Sequence, residues 1–368
     1  MVEYDHQVAV GIAESALGRY GIDPSTITAI AEDTSHNPLK VETTGGKTYF
    51  VKVVDANRTF GDRFTVGDYR TRLTATEELR AAGLSVPGLI RTNSRHKHAT
   101  IRRPSGLYAV VEVQEFVPGE GYTGKTGQAE IFGATVGVAH TVIKEITTKS
   151  IKRLRDAGVV STKNNAKGRV SELVDKWDSD LTALNDDQIP NNLRAYVTDL
   201  IQRFPGYAKI AIAQEGIVKD LPMDVVHHGL HQQQILINGN VGTLVDWETI
   251  RYGPLALDFG DGLDRASVTG GARNIKAQLD KPLSEFTHDQ ALAAEFATAY
   301  ARQFPGLDRS GAMAAIHQRN TWALPKFIDE MIAAAQSGNK SNLDKYWGFA
   351  RLRDPARFTD LDQIIKEL

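Results

Sequence analysis

Apolar and polar positions follow three different rhythms along this chain. Residues 4–20 form a short amphipathic stretch closed by Gly21 and Pro24, which predicts a helix. From about residue 27 to 54 the rhythm becomes strand-like. Asn37-Pro38-Leu39-Lys40-Val41-Glu42 alternates, Thr44-Gly45-Gly46-Lys47 is a turn, and residues 48–54 are rich in β-formers. A polar stretch then leads into a helical segment that ends at Ala81-Ala82-Gly83, with Pro87 and Gly88 as breakers. Two more strand candidates follow. The stronger, residues 107–114, is closed by Pro118-Gly119. Several antiparallel strands with one helix make a small α+β lobe.

After Gly124 the helical spacing takes over. Residues 128–146, 168–184, 191–204, 289–304 and 312–336 all read as helices. Strand character returns only at Val225-Val226 and over residues 235–245. The expectation is an α+β protein of two lobes. A mixed antiparallel sheet with a helix occupies residues 1–116, and a larger, mostly helical lobe occupies 117–368, with a hairpin embedded at 225–248.

Composition narrows the partners. The length of 368 residues suits one large two-lobed domain or two to three smaller ones. With 43 basic and 45 acidic side chains the formal charge is −2, which gives no case for a nucleic-acid binder. The absence of cysteine excludes disulfides, thiolate metal sites and a cysteine nucleophile. The start of the chain has no basic region followed by an apolar core, and no stretch reaches the ~20 apolar residues of a membrane helix. A soluble cytoplasmic protein without membrane or nucleic-acid partners is expected.

The embedded hairpin carries the densest chemistry. Asn238-Gly239 between two apolar strands is a strong turn signal. Folding there brings the polar loop His227-His228-Gly229-Leu230-His231-Gln232-Gln233-Gln234 to the same open end as Asp246. Imidazoles and amides facing an acid at the mouth of two apolar strands are costly to bury without a purpose, although a loop satisfied by its own backbone has the same composition. A zinc-hydrolase reading of His227, His228 and His231 fails, because the loop lacks the helical spacing and acid of such sites.

This stretch resembles the aminoglycoside phosphotransferase and choline kinase-like family, which has the protein-kinase-like fold. The family's loop reads His-Gly-Asp-Leu-His, then a metal-binding Asn, an apolar strand, a turn, and a second strand ending in Asp-Trp-Glu. The chain keeps His227, Leu230, His231, Leu236, Asp246-Trp247-Glu248 and Tyr252-Gly253-Pro254-Leu255-Ala256-Leu257-Asp258 in order over some thirty positions. The resemblance implies ATP or another nucleoside triphosphate, with Mg²⁺, and transfer of the γ-phosphate to a hydroxyl of a small molecule or peptide side chain. Phosphoryl transfer is mainly positioning and charge neutralisation. By the same resemblance Asp246 is the principal Mg²⁺ ligand, Gln234 stands in the place of the metal-binding Asn, His231 pins the loop, and Asp258 anchors it.

The resemblance also reaches the first lobe. Lys52, inside an apolar strand, matches the lysine that pairs with the α- and β-phosphates; alone, it would read as a solvated strand face. Ser35 lies where the family's phosphate-covering loop lies, and that loop here has no glycine. Glu115 and Val117 resemble the hinge against which adenine docks, though a plain interdomain linker looks much the same.

Two departures stand out. Gly229 occupies the position of the family's catalytic Asp, so His228 beside it is the candidate general base. Near the place of the helix Glu that pairs with the lysine stands Arg72, with Asp68, Glu77 and Glu78 as alternative acids. An active phosphotransferase and a pseudokinase, a nucleotide-binding scaffold working through a protein partner, therefore remain as competing functions.

Overall fold

The structure is a computed structural model. It describes residues 6–30, 38–55, 66–102, 108–156, 191–267, 288–308, 310–317 and 359–367, with a few residues between 330 and 338. The expected helix at 168–184 and most of that at 312–336 lie outside the described residues.

Five antiparallel strands form the first sheet: β1 (Pro24–Ala29), β2 (Pro38–Thr43), β3 (Thr48–Asp55), β4 (Ala99–Arg102) and β5 (Tyr108–Glu115), in the order β1-β2-β3-β5-β4. Pro24 opens an edge strand, where its missing N–H costs no ladder bond. Strand periodicity sorts the two faces. Val51, Val53, Val111 and Val113 pack against helix α1 (His6–Leu17) through Ile12, Ala13, Ala16 and Leu17. Val54 and Val110 point the other way, onto Tyr69 and Leu73 of helix α2 (Val66–Ala81). Lys52 and Glu112, paired in register, belong to this second face by the same alternation.

The larger core gathers helices α3 (Gln128–Glu145), α4 (Lys149–Asp156), α6 (Leu255–Ser267) and α7 (Gln290–Gln303) around two small ribbons. Between α4 and α6 runs α5 (Asn191–Ala213), which continues through Pro205 rather than stopping at residue 204 as expected. A proline removes one backbone bond and kinks a helix without always ending it. In α3, a Cβ on Gly133 would lie 2.0 Å from the carbonyl oxygen of Phe296, so that helix crossing requires a glycine. Among the described residues no helix is long and apolar enough to cross a membrane.

The strands at 225–245 do not form one ribbon. Strand β7 (Met223–Val226) pairs with β10 (Arg251–Pro254), whereas β8 (Ile235–Asn238) and β9 (Val241–Leu244) form the hairpin, extended by β6 (Glu120–Gly121). The two-residue turn is Gly239-Asn240, with Gly239 at φ 58°. Loop 227–234 therefore runs from one ribbon to the other, and Asp246 follows β9 at the same end.

Candidate active site

Loop 227–234 is held by its backbone. Both oxygens of Asp258, one turn into α6, accept backbone N–H groups, Oδ2 from His227 at 2.5 Å and Oδ1 from His228 at 2.8 Å. The ring of His227 stacks edge-on against Trp247 at 4.7 Å, and its Nε2 bonds the Val245 carbonyl at 2.8 Å. Burial pushes the His227 pKa down, against the opposing pull of Asp258. The ring is therefore neutral, with its proton on Nε2 facing the carbonyl. Thr249 Oγ1 donates to the His227 carbonyl at 2.7 Å, and Gln232 Nε2 donates to the Arg265 carbonyl at 2.9 Å. His227 thus performs the pinning that the resemblance assigned to His231. The His231 Nδ1 only accepts the N–H of Gln233 at 3.2 Å, and burial with Arg265 nearby lowers its pKa to about 4.

Backbone strain concentrates here. Among the described residues Arg95, His228 and Asp246 are the non-glycine residues with positive φ; His228, inside the loop, is at 59° and Asp246, after β9, at 73°. Such conformations cost ~1–3 kcal/mol each and gather at functional sites. Gly229 follows at φ 153°, a conformation that side chains rarely adopt. Its missing side chain is thus explained first by the backbone. Space is not the limit, because a Cβ there would meet Thr249 Oγ1 at 3.8 Å and the Gln234 amide at 3.9 Å.

Three predicted residues converge at the other end of the loop. The Lys52 amine, 5% exposed, contacts the carboxylates of Asp246 and Glu248. Gln234 Nε2 donates to Asp246 Oδ2 at 3.0 Å, while Gln234 Oε1 is buried without a hydrogen-bond partner. This orientation of the amide is the one the carboxylate demands, since flipping it would set oxygen against oxygen. A carboxylate bonded to an amide whose oxygen has no partner suits Mg²⁺, which prefers hard oxygen donors. The residues present fit the metal. Among the described residues no three His, Asp or Glu side chains form a metal-ligand group.

The acids expected to meet Lys52 are engaged elsewhere. Glu77 pairs with Arg91 and Lys97, and Glu78 accepts from Thr148 Oγ1 at 2.6 Å. Asp68, in the first turn of α2, acts on Arg72 beside it. Glu248, present in the Asp-Trp-Glu run but given no role from the sequence, is the acid that contacts Lys52 beside Asp246. The Nη1 of Arg72 donates to the Glu248 carbonyl at 2.5 Å, and burial lowers the Arg72 pKa to about 10. Glu112 accepts from Tyr69 Oη and Gln114 Nε2, and burial pushes its carboxyl towards the neutral form.

The remaining predicted positions lie apart. Glu115 commits its N–H to the Gly88 carbonyl at 2.8 Å and its carboxylate to Arg80. Val117 is half-buried between β5 and β6. Ser35 falls outside the described residues.

A small antiparallel sheet over a helical lobe, with a catalytic-type loop where they meet, defines a kinase-like phosphotransferase architecture. Residues 26–302 match the sequence profile of the phosphotransferase enzyme family, and the chain belongs to that family. A spectinomycin phosphotransferase in complex with ADP and spectinomycin shares the fold at TM-score 0.65, with 15% identity and 100% of each chain covered. A microcompartment-associated aminopropanol kinase follows at TM-score 0.62 and 15% identity, covering 96% of this chain and 99% of its own. An amicoumacin kinase in complex with AMP-PNP, Ca²⁺ and Ami gives 0.59 and 15%, with 97% of each chain covered. Comparison of the sequence with curated proteins gave no significant match.

Proposed function

We propose that the chain is an ATP- and Mg²⁺-dependent phosphotransferase that moves the γ-phosphate to a hydroxyl of a small molecule. The carrying observation is the convergence of Lys52, Asp246 and Gln234, with one Gln234 oxygen left uncommitted in a buried site. In this reading Lys52 holds the α- and β-phosphates, and Asp246 and Gln234 supply the protein oxygens to the metal. Mg²⁺, when bound, neutralises phosphate charge. The adenine rests against the Glu115 carbonyl and Val117, so that residues 1–116 hold the nucleotide and 117–368 hold the acceptor. The solved structures similar to this chain are named for small molecules such as spectinomycin, which favours such an acceptor over a peptide. A cytoplasmic location, where ATP is supplied, accords with this.

In the transfer, the acceptor oxygen forms a bond to the γ-phosphorus as the bond from that phosphorus to the β–γ bridging oxygen breaks, releasing ADP. The hydroxyl proton passes to His228, which adjoins the position where the family carries an Asp. The proton leaves late in a loose transition state, so loss of the usual carboxylate slows the reaction, by ~10²–10⁴-fold for a general base, without forbidding it.

One observation favours the scaffold reading. Gly229 bears no carboxylate and has a backbone conformation that resists one. Incubation with ATP, Mg²⁺ and a panel of amino alcohols and aminoglycosides, followed by product mass analysis, separates the two. The enzyme reading expects a phosphorylated product from wild type and at least tenfold less from His228→Ala. Tight nucleotide binding with no product from any acceptor would leave the scaffold.

A further inference from the structure

We infer that Glu248 is the positioning residue for Lys52, doing from the turn after Asp246 what an acid on the neighbouring helix would otherwise do. The inference rests on the phosphate-binding role proposed for Lys52.

Acid and base have exchanged elements across this contact. Helix α2 packs beside β3 and presents Arg72, whose guanidinium donates to the Glu248 backbone carbonyl. The Glu248 carboxylate in turn reaches the Lys52 amine. Asp246 and Glu248 differ in what they can do for that amine. The Asp246 side chain is 25% exposed and accepts from the amide nitrogen of Gln234, whose oxygen has no partner, so it is the one placed to turn towards a metal. The Glu248 side chain is 6% exposed, on a turn fixed by Trp247 and Thr249, and remains with the lysine. Without it, an Asp246 engaged by metal would leave Lys52 a buried ammonium short of a counter-charge, which is strongly unfavourable.

Glu112 does not serve equally well. It lies opposite Lys52 in the β3–β5 register, yet Tyr69 and Gln114 already occupy its oxygens. Burial pushes its carboxyl towards the neutral acid against the opposing pull of Lys52, and a neutral acid attracts an ammonium weakly. Arg72 holds the Glu248 main chain through its carbonyl, and one carboxylate oxygen of Glu248 contacts the lysine.

The test uses the full chain and calorimetric titration with ADP and, separately, with adenosine, each at several Mg²⁺ concentrations. Loss of a charge-assisted contact predicts roughly tenfold to a hundredfold weaker ADP binding in Glu248→Gln. Adenosine, which lacks phosphates, should bind Glu248→Gln as it binds wild type. The Mg²⁺ concentration needed for half-maximal effect should not move. Glu248→Asp, which keeps the charge, should recover part of the loss, and it carries the test if Glu248→Gln does not fold. Equal weakening of ADP and adenosine would mean Glu248 only supports the fold, and a shifted Mg²⁺ requirement would make it a metal ligand. Either result overturns the inference. Lys52→Ala separates it from its foundation: if that variant binds ADP as wild type does, the phosphate role of Lys52 falls first. If ADP binding depends on Lys52 and is unchanged in Glu248→Gln, the inference alone falls.

Discussion

Asp246 and Asp258 sit at two ends of the same structural unit and are used in opposite ways. Asp258 is 1% exposed and spends its oxygens on the backbone N–H groups of His227 and His228. His140 lies against it, bonded to Tyr300 at 2.7 Å. Asp246 is partly exposed, strained at φ 73°, and faced by side-chain groups, the amine of Lys52 and the amide of Gln234. A carboxylate bonded to main chain fixes a shape. A carboxylate bonded to side chains that can turn away keeps its capacity for a ligand. In the proposed function the chemistry lies on the Asp246 side and the architecture on the Asp258 side.

The comparison breaks most visibly at Asp258. Replacing it with Ala leaves two buried N–H groups without acceptors and should destabilise the protein by about 3–5 kcal/mol, read by urea unfolding. Asp246→Asn should cost little stability. It should instead remove the stabilisation that Mg²⁺-ADP confers, which is about 2.7 kcal/mol at a hundred times Kd. Should the two variants show the reverse pattern, the assignment of roles is wrong. Next comes Gly229→Ala, expected to lose about 1–3 kcal/mol from the backbone at φ 153° alone. Gly229→Asp should lose a similar amount. A stable Gly229→Asp variant would mean the glycine is there for the acceptor and not for the chain. The smallest effect is with pH. His227 binds a proton more weakly folded than unfolded, where its pKa is near 6.5. As pH falls below 6.5 the unfolded chain takes up more protons, so stability present above that pH is lost, by at most about 1.4 kcal/mol per pH unit for this ring. His231, depressed to about 4, adds in the same direction between 6.5 and 4. Unfolding curves at pH 7, 6 and 5 for wild type and His227→Gln check the slope, which should be shallower in the variant.

What the sequence made legible follows from locality. The β-formers of β3 and the apolar run of β5 placed Lys52 on a strand, because local propensity needs no knowledge of distant partners; its place at the site came from the resemblance. Helices α3 and α7 were equally plain from their spacing. Strand β10 escaped notice, since Arg-Tyr-Gly-Pro holds two breakers and only its pairing with β7 makes it a strand. The continuation of α5 past Pro205 was hidden for a similar reason. At the site, Asp246, Gln234 and Asp258 were legible through an ordered motif. The partner of Lys52 was not, because Glu248 stands 196 residues away and only the folded approach of α2, β3 and the Trp247 turn brings them together. Arg72 was visible as a departure, and its consequence became readable only from the bond to the Glu248 carbonyl.

The central claim is that Asp246 and Gln234 hold a metal with the nucleotide. Calorimetric titration of ADP into wild type and Asp246→Asn, each in Mg²⁺ and again in EDTA, tests it most directly. The account predicts that Mg²⁺ tightens ADP binding at least tenfold in wild type and has almost no effect in Asp246→Asn. An equal Mg²⁺ enhancement in both proteins would contradict it.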